Sequence, residues 1–268
     1  MSSKPSHGGL AQLRAIYGGA PLAVTALAYL AGVTAAELLV TYVTDARLGL
    51  LTHCLLLAGL LIQSARTEDA RARAVLVSLA FAPLIRIMSL TLPLIAFPEM
   101  YWYLLTSLPL FAAALVAGRA FAYSWRDLGL NLRGLPLQLL ISLVGLGLGF
   151  FEYRILNPDP LISSLDWTSF WLPALILLIS TGLLEEVIFR GLLQRSIGLS
   201  LGYWWGILYV AALFAVLHVG YKSLPDVLFV FAVGVLFGWI VERTGSLVGV
   251  TLAHGLTNIM LFLVMPFL

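Results

Sequence analysis

Charge is what this chain has least of. Asp, Glu, Lys and Arg make up 10% of 268 residues, with a formal net charge of +2. Water-soluble surfaces are built largely from charged side chains, so 61% hydrophobic residues at a mean hydropathy of +1.00 exclude a soluble globular protein. No run of Lys and Arg is long enough to neutralise successive phosphates, which argues against nucleic-acid binding. Cys54 is the only cysteine, so an internal disulfide and a thiolate metal site are both excluded. The chain also lacks a GxSxG elbow, an HExxH pair, an internal repeat and any low-complexity tract.

What is present is a series of apolar runs, at roughly 20–43, 48–63, 74–97, 100–122, 135–152, 170–198, 203–220, 225–242 and 247–266. The first is too long for a signal-peptide core and reads as a retained helix. The second is short enough to be re-entrant or merged with a neighbour, so eight or nine membrane helices are expected. Polar links such as QSARTEDARAR, SWRDLGLNLRG and RILNPDPLISSLDW separate the runs. The chain reads as one membrane domain, 1–268: a cytoplasmic tail over 1–19, helices without motif over 20–168, and the chemistry-bearing helices over 169–268.

If nine spans alternate, the N-terminal tail and every second loop carry Lys4, Arg14, Arg66, Arg71, Arg73, Arg119, Arg126, Arg133, Arg190, Arg195 and Arg243, and the opposite face only Arg47, Arg154 and Lys222. That bias puts the N-terminus in the cytoplasm and the protein in a cell (plasma or inner) membrane. Tyr101 with Trp102 and Tyr203 with Trp204 fall at expected span ends, as interfacial aromatic belts do.

Against this apolar background stands LLEEVIFRG. Ionisable groups at bilayer depth cost several kcal/mol unless paired or hydrated, so Glu185, Glu186 and Arg190 form a functional-site hypothesis. Glu186 and Arg190 are four apart with the acid N-terminal, the favourable order for an intrahelical ion pair, while Glu185 points about 100° away and stays free to react. The bland alternative is that both acids merely pair with Arg190 and Arg195 near a helix end. Further on, FAVLH sets Phe214 and His218 on one helix face, and AHGLTN does the same for His254 and Asn258. At a rise of 1.5 Å per residue, Glu185, His218, His254 and Asn258 all lie about 12–22 Å from the cytoplasmic turns, inside a hydrocarbon layer about 30 Å thick. The expected fold is therefore all-α, a polytopic transmembrane helix bundle around a polar intramembrane cavity.

Such a cavity holds the parts for amide hydrolysis. A carboxylate in a low-dielectric site can act as general base toward water, with a histidine sharing or orienting that water. A second histidine and a carboxamide offer donors where a tetrahedral oxyanion would form. Ser180 and Ser196 sit in no dyad context and Cys54 is far upstream, so water is the expected nucleophile.

The order EExxxR (Glu185, Glu186, Arg190), FxxxH (Phe214, His218) and HxxxN (His254, Asn258) resembles the CAAX protease and bacteriocin-processing family, which includes the type II CAAX prenyl endopeptidases. No motif position departs from the pattern, and RDLGLN at Arg126–Asn131 resembles a loop often found upstream in that family. The resemblance implies an intramembrane endopeptidase in which Glu185 activates water with His218, and His254 and Asn258 stabilise the oxyanion. Glu186, Arg190 and Phe214 would support them. The partners implied are the lipid bilayer and a membrane-anchored or lipidated peptide or protein: a prenylated tail, a leader peptide or the sorting tail of a surface protein. No cofactor is expected; the alternative is zinc on Glu185, His218 and His254. Rival classes are a proton-coupled carrier, which should show internal symmetry, and a non-catalytic immunity or scaffold protein, which should have lost a motif residue.

Elsewhere, Glu37 and Arg86 are expected to pair across helices, and Glu152 and His53 to lie at interfaces. Gly145, Gly147, Gly149 and the Gly234–Gly238 pair are expected at helix contacts. Pro83, Pro93 and Pro173 are expected to kink their helices.

Overall fold

The computed structural model describes residues 7–92 and 94–268, and side chains from residue 21 onward except at position 93. Lys4, Pro93 and the side chain of Arg14 lie outside the described residues. Among the described residues no strand forms, and nine helices are long and apolar enough to cross a membrane. They are α1 (His7–Tyr42), α2 (Arg47–Arg66), α3 (Ala70–Thr91), α4 (Met100–Ala120), α5 (Leu135–Leu156), α6 (Trp167–Leu201), α7 (Tyr203–Tyr221), α8 (Leu224–Thr244) and α9 (Val248–Phe267).

The choice between eight and nine spans falls to nine. The second run looks short in sequence because it closes on Gln63 and Ser64, but a helix absorbs such groups: the Ser64 hydroxyl donates to the carbonyl of Leu61 at 2.8 Å. Helix α1 begins at His7, inside the stretch read as a tail, and its apolar part runs from Pro21. Helix α3 starts four residues before its apolar run because the Asp69 carboxylate accepts the backbone N–H groups of Arg71 and Ala72. It stops at Thr91, with Leu92 extended ahead of a proline. Its regular geometry is interrupted at Ala80, three residues before Pro83.

Helix α6 organises the rest, packing against α3, α4, α7, α8 and α9. Asp166 caps its start by accepting the backbone N–H of Ser169, and hydrogen bonds from Ser164 and Thr168 hold that carboxyl well below the ordinary carboxylate range. At 35 residues and 1.5 Å each, α6 reaches about 50 Å, well beyond a hydrocarbon core of about 30 Å. Its excess lies at the far end, where Arg195 meets Asp127 of the α4–α5 link at 2.7 Å. The same link ties down the α8–α9 turn: Asn131 Nδ2 donates to Gly245 O, Leu247 N to Gly129 O, and Ser246 Oγ to Asn131 O, each at 2.8 Å. RDLGLN is thus a latch between loops at one end of the bundle. Gly129, at φ +78°, is needed there, because a side chain would meet Leu247.

Helix α9 is held between α5 and α6 by contacts that only glycine allows. A Cβ on Gly145 would collide with the carbonyl of Ala253, one on Gly149 would stand 2.5 Å from the carbonyl of Thr257, and one on Gly182 would stand 2.8 Å from the carbonyl of Thr251. Gly147, between the first two, meets nothing within 4 Å and is not a packing residue. Gly234 and Gly238 do lie at contacts, against Ala211 and Gln194.

Three charge placements differ from the sequence reading. Arg190 is buried within the bundle and is not a loop charge. His53 is fully buried beside Glu37 at 3.3 Å, because α2 turns it inward against α1. Glu152 is also buried, since α5 presents it to the interior on the side that packs on α8 and α9.

Overpacking a tight helix crossing costs about 1–3 kcal/mol. Gly149→Val should accordingly lower the thermal unfolding midpoint in detergent micelles, followed by circular dichroism, whereas Gly147→Val should leave it in place. Equal sensitivity at both positions would refute the crossing as described.

Candidate active site

The two acids of EExxxR sit on a short α-helical piece, Leu184–Glu186, bracketed by π-helical stretches Leu178–Leu183 and Val187–Gln194. Such widened turns concentrate at functional sites because they re-aim side chains and leave carbonyls without their usual donors. Between them the two acids point different ways, as consecutive residues of a helix do. The Glu186 side chain is fully enclosed and Glu185 is 30% exposed, and Glu185 opens onto a cavity.

Glu186 accepts from Arg190 Nη1 at 3.0 Å and from His254 Nδ1 at 2.9 Å, both on Oε1. Arg190 is boxed in by aromatic faces, its guanidinium carbon lying 5.0 Å from the Phe214 ring centre and 5.9 Å from that of Phe237. The expected i,i+4 pair is therefore present, and Glu185 is the acid left over. What spacing could not supply is the third member, His254, which comes from α9 and turns its Nε2 to within 3.9 Å of Glu185 Oε2.

His218 lies just beyond the α-helical part of α7, which ends at Val216. Its Nδ1 is 2.8 Å from the carbonyl of Phe214. A carbonyl only accepts, so Nδ1 carries the proton and Nε2 presents a lone pair. The relation between Phe214 and His218 survives the end of the helix through this bond, with ring centres 4.7 Å apart. Phe214 also stands edge-on to His254 at 6.0 Å, so it is the common wall of both imidazoles. Asn258 Nδ2 donates to Thr181 Oγ1 at 2.8 Å, which orients the carboxamide and leaves its second N–H free.

Glu185 and His218 line a cavity of about 430 Å³ together with Arg86, Tyr103, Ser180 and Thr181. An adjoining lobe of about 90 Å³ shares Tyr103, Thr181, Glu185, Phe214, His218 and Tyr221 with it and adds Glu152, His254 and Asn258. Four widely separated sequence segments thus meet in one polar chamber. Tyr103, Thr181, Arg86 and Glu152 escaped the sequence reading as lining residues. Only Arg86 and Glu152 carried a signal, as charges inside apolar runs. Among the described residues no three His, Cys, Asp or Glu side chains gather as a metal-ligand set.

Fold and chamber together define an integral, multi-pass membrane protein with a polar site in its interior. Residues 167–260 match the family model described as "Type II CAAX prenyl endopeptidase Rce1-like". That segment runs from the start of α6 into α9 and holds all three motifs. No curated protein and no solved structure matches the chain.

Removing one partner of a buried ion pair leaves the other charge uncompensated, at about 3–5 kcal/mol. Glu186→Ala should therefore sharply lower the SDS concentration at which the purified protein unfolds. Glu185→Gln, facing the cavity, should cost about 1 kcal/mol or less. A Glu186→Ala protein as stable as wild type would mean that the Glu186, Arg190 and His254 cluster does not hold the site.

Proposed function

We propose that this protein is an intramembrane endopeptidase in which Glu185 is the general base. The observation that carries the proposal is the division between the acids: Glu186 is consumed by Arg190 and His254, while Glu185 faces the chamber that His218 also lines. Water held between the Glu185 carboxylate and the bare Nε2 of His218 gives up a proton to the carboxylate as its oxygen attacks the peptide carbonyl. The carbonyl oxygen becomes an oxyanion. The free N–H of Asn258 is one donor to it. His254, with Nδ1–H held by Glu186, supplies a second from Nε2 when it is an imidazolium, the form matched to the two carboxylates around it. Collapse of the tetrahedral intermediate breaks the C–N bond, and the proton on Glu185 passes to the departing amine.

No metal takes part in this reading. A carboxylate base of this kind delivers water without a Lewis acid. The substrate is a membrane-associated or lipidated peptide reaching the chamber laterally or from the cytoplasmic side. The Arg-rich end, which carries the α4–α5 latch, faces the cytoplasm with the N-terminus, in a cell membrane.

The test is turnover of a panel of fluorogenic lipidated and leader-type peptides by protein in liposomes. Glu185→Gln should lower kcat about 10³-fold or more, and His218→Ala about 10²–10⁴-fold. Phenanthroline should leave wild-type turnover unchanged. Full activity in Glu185→Gln would end the general-base assignment, and loss on chelation with rescue by zinc would replace it with a metal mechanism.

A further inference from the structure

Outside the family-matched segment, three helices each contribute one charged or titratable side chain to a single buried cluster. Glu37 of α1 is gripped by the guanidinium fork of Arg86 of α3, with Nε to Oε1 at 2.8 Å and Nη2 to Oε2 at 2.7 Å. His53 of α2 closes the far side, its Nε2 lying 3.3 Å from Glu37 Oε1. Glu37 and His53 have no exposed side-chain surface. An apolar trio would hold three helices together at least as cheaply, since the desolvation of buried charges offsets most of their attraction. A reason for charge is therefore to be sought in what else the cluster touches.

It touches the backbone beside His218. Arg86 Nη2 also donates to the carbonyl of Leu217 at 2.9 Å. The α-helical part of α7 has just ended at Val216, and carbonyls at a helix end lack intrahelical donors. Arg86 answers one of them. The next residue, His218, sits at φ −94° and ψ 0°, a sparsely populated conformation that its surroundings must hold. Its ring is tethered to Phe214 O and its backbone, one residue away, to Arg86. Arg86 and His218 line the same cavity.

We propose that Glu37, His53 and Arg86 form a positioning device for His218, fixing the end of α7 through the Leu217 carbonyl and so setting where Nε2 stands relative to Glu185. This rests on the hydrolase reading above. Glu37 locks the plane of the guanidinium, His53 shields that pair, and Arg86 transmits the lock to the helix end. The peripheral helices α1–α3 thereby become part of the catalytic apparatus without any of their three side chains touching the reacting atoms.

Two variants and two readouts test it. Arg86→Lys keeps the charge but cannot bridge Glu37 and Leu217 O with a planar fork. The double substitution Glu37→Leu with Arg86→Met removes the charges together and leaves an apolar contact that can still fold. Misplacement of a catalytic group by about 1 Å costs on the order of 100-fold, so kcat should fall about 10- to 100-fold in both variants while KM stays close to wild type. The second readout is carbethoxylation of His218 by diethyl pyrocarbonate, resolved by peptide mass spectrometry, whose rate should change several-fold in both variants. A folded double variant with wild-type kcat and unaltered His218 reactivity would reduce the cluster to a staple and overturn the proposal. A raised KM with unchanged kcat would also overturn it, by making Arg86 a grip on substrate. Glu185→Gln, run in parallel, separates the failures: turnover that survives in it sinks the hydrolase reading, while the labelling rates still judge the positioning of His218.

Discussion

A carboxylate with no surface in contact with water is stable as an ion only where other groups replace its hydration, and Glu186 has such replacement from two helices at once. Arg190 answers it from one turn along α6 and His254 from α9. Each partner is itself confined, Arg190 between two aromatic faces and α9 by glycine crossings against α5 and α6. The bond from His254 to Glu186 is thus the point at which the order of α9 against α6 is fixed. It also decides the chemistry of the neighbouring position. With Arg190 and His254 Nδ1 both on Glu186 Oε1, the adjacent acid keeps only the longer approach of His254 Nε2 at 3.9 Å and faces the chamber.

The widened turns of α6 flank the helical piece on which this division occurs. In regular α-helix, consecutive residues are about 100° apart, which separates Glu185 from Glu186 but also brings each under the carbonyls of the preceding turn. A π-helical stretch on either side slackens that packing where Gly182 lets α9 approach and where Arg190 folds back on Glu186. Thr181 lies in the first of these stretches and holds Asn258. One irregular stretch of α6 therefore lies beside both Glu185 and Asn258.

Much of this was legible in the sequence because it is written in short-range spacing. The i,i+4 relations of Glu186 with Arg190 and of Phe214 with His218 depend only on helix geometry, and the membrane spans depend only on apolar length. Contacts between helices were not legible. Nothing in AHGLTN says that His254 reaches Glu186, and nothing in the α5 run distinguishes Gly147, which meets no neighbour, from Gly145 and Gly149, which touch α9. Position along a run also misleads about burial. His53 and Glu152 stand where an interface was expected, yet both face inward, because a charge at a span end can be turned either to the headgroups or to a polar partner and only packing decides between them. Glu37 with Arg86 was readable as a pair, since two isolated opposite charges in apolar runs have few other ways to exist, but not as a pair that touches the end of α7.

That last contact bears on how the family-matched segment sits in the whole bundle. Residues 167–260 carry the motifs, yet Glu185 and His218 come from different helices, α6 and α7, joined by a turn at the far end from the chamber. Their relative placement is therefore not set by the turn. It is set at the chamber end, where α7 stops short and its exposed carbonyls need donors. Arg86 comes from α3 and is anchored on Glu37 of α1, with His53 of α2 beside it. A donor from α3 thus meets the end of α7 beside the chamber, which gives helices without a motif a physical reason to carry buried charge.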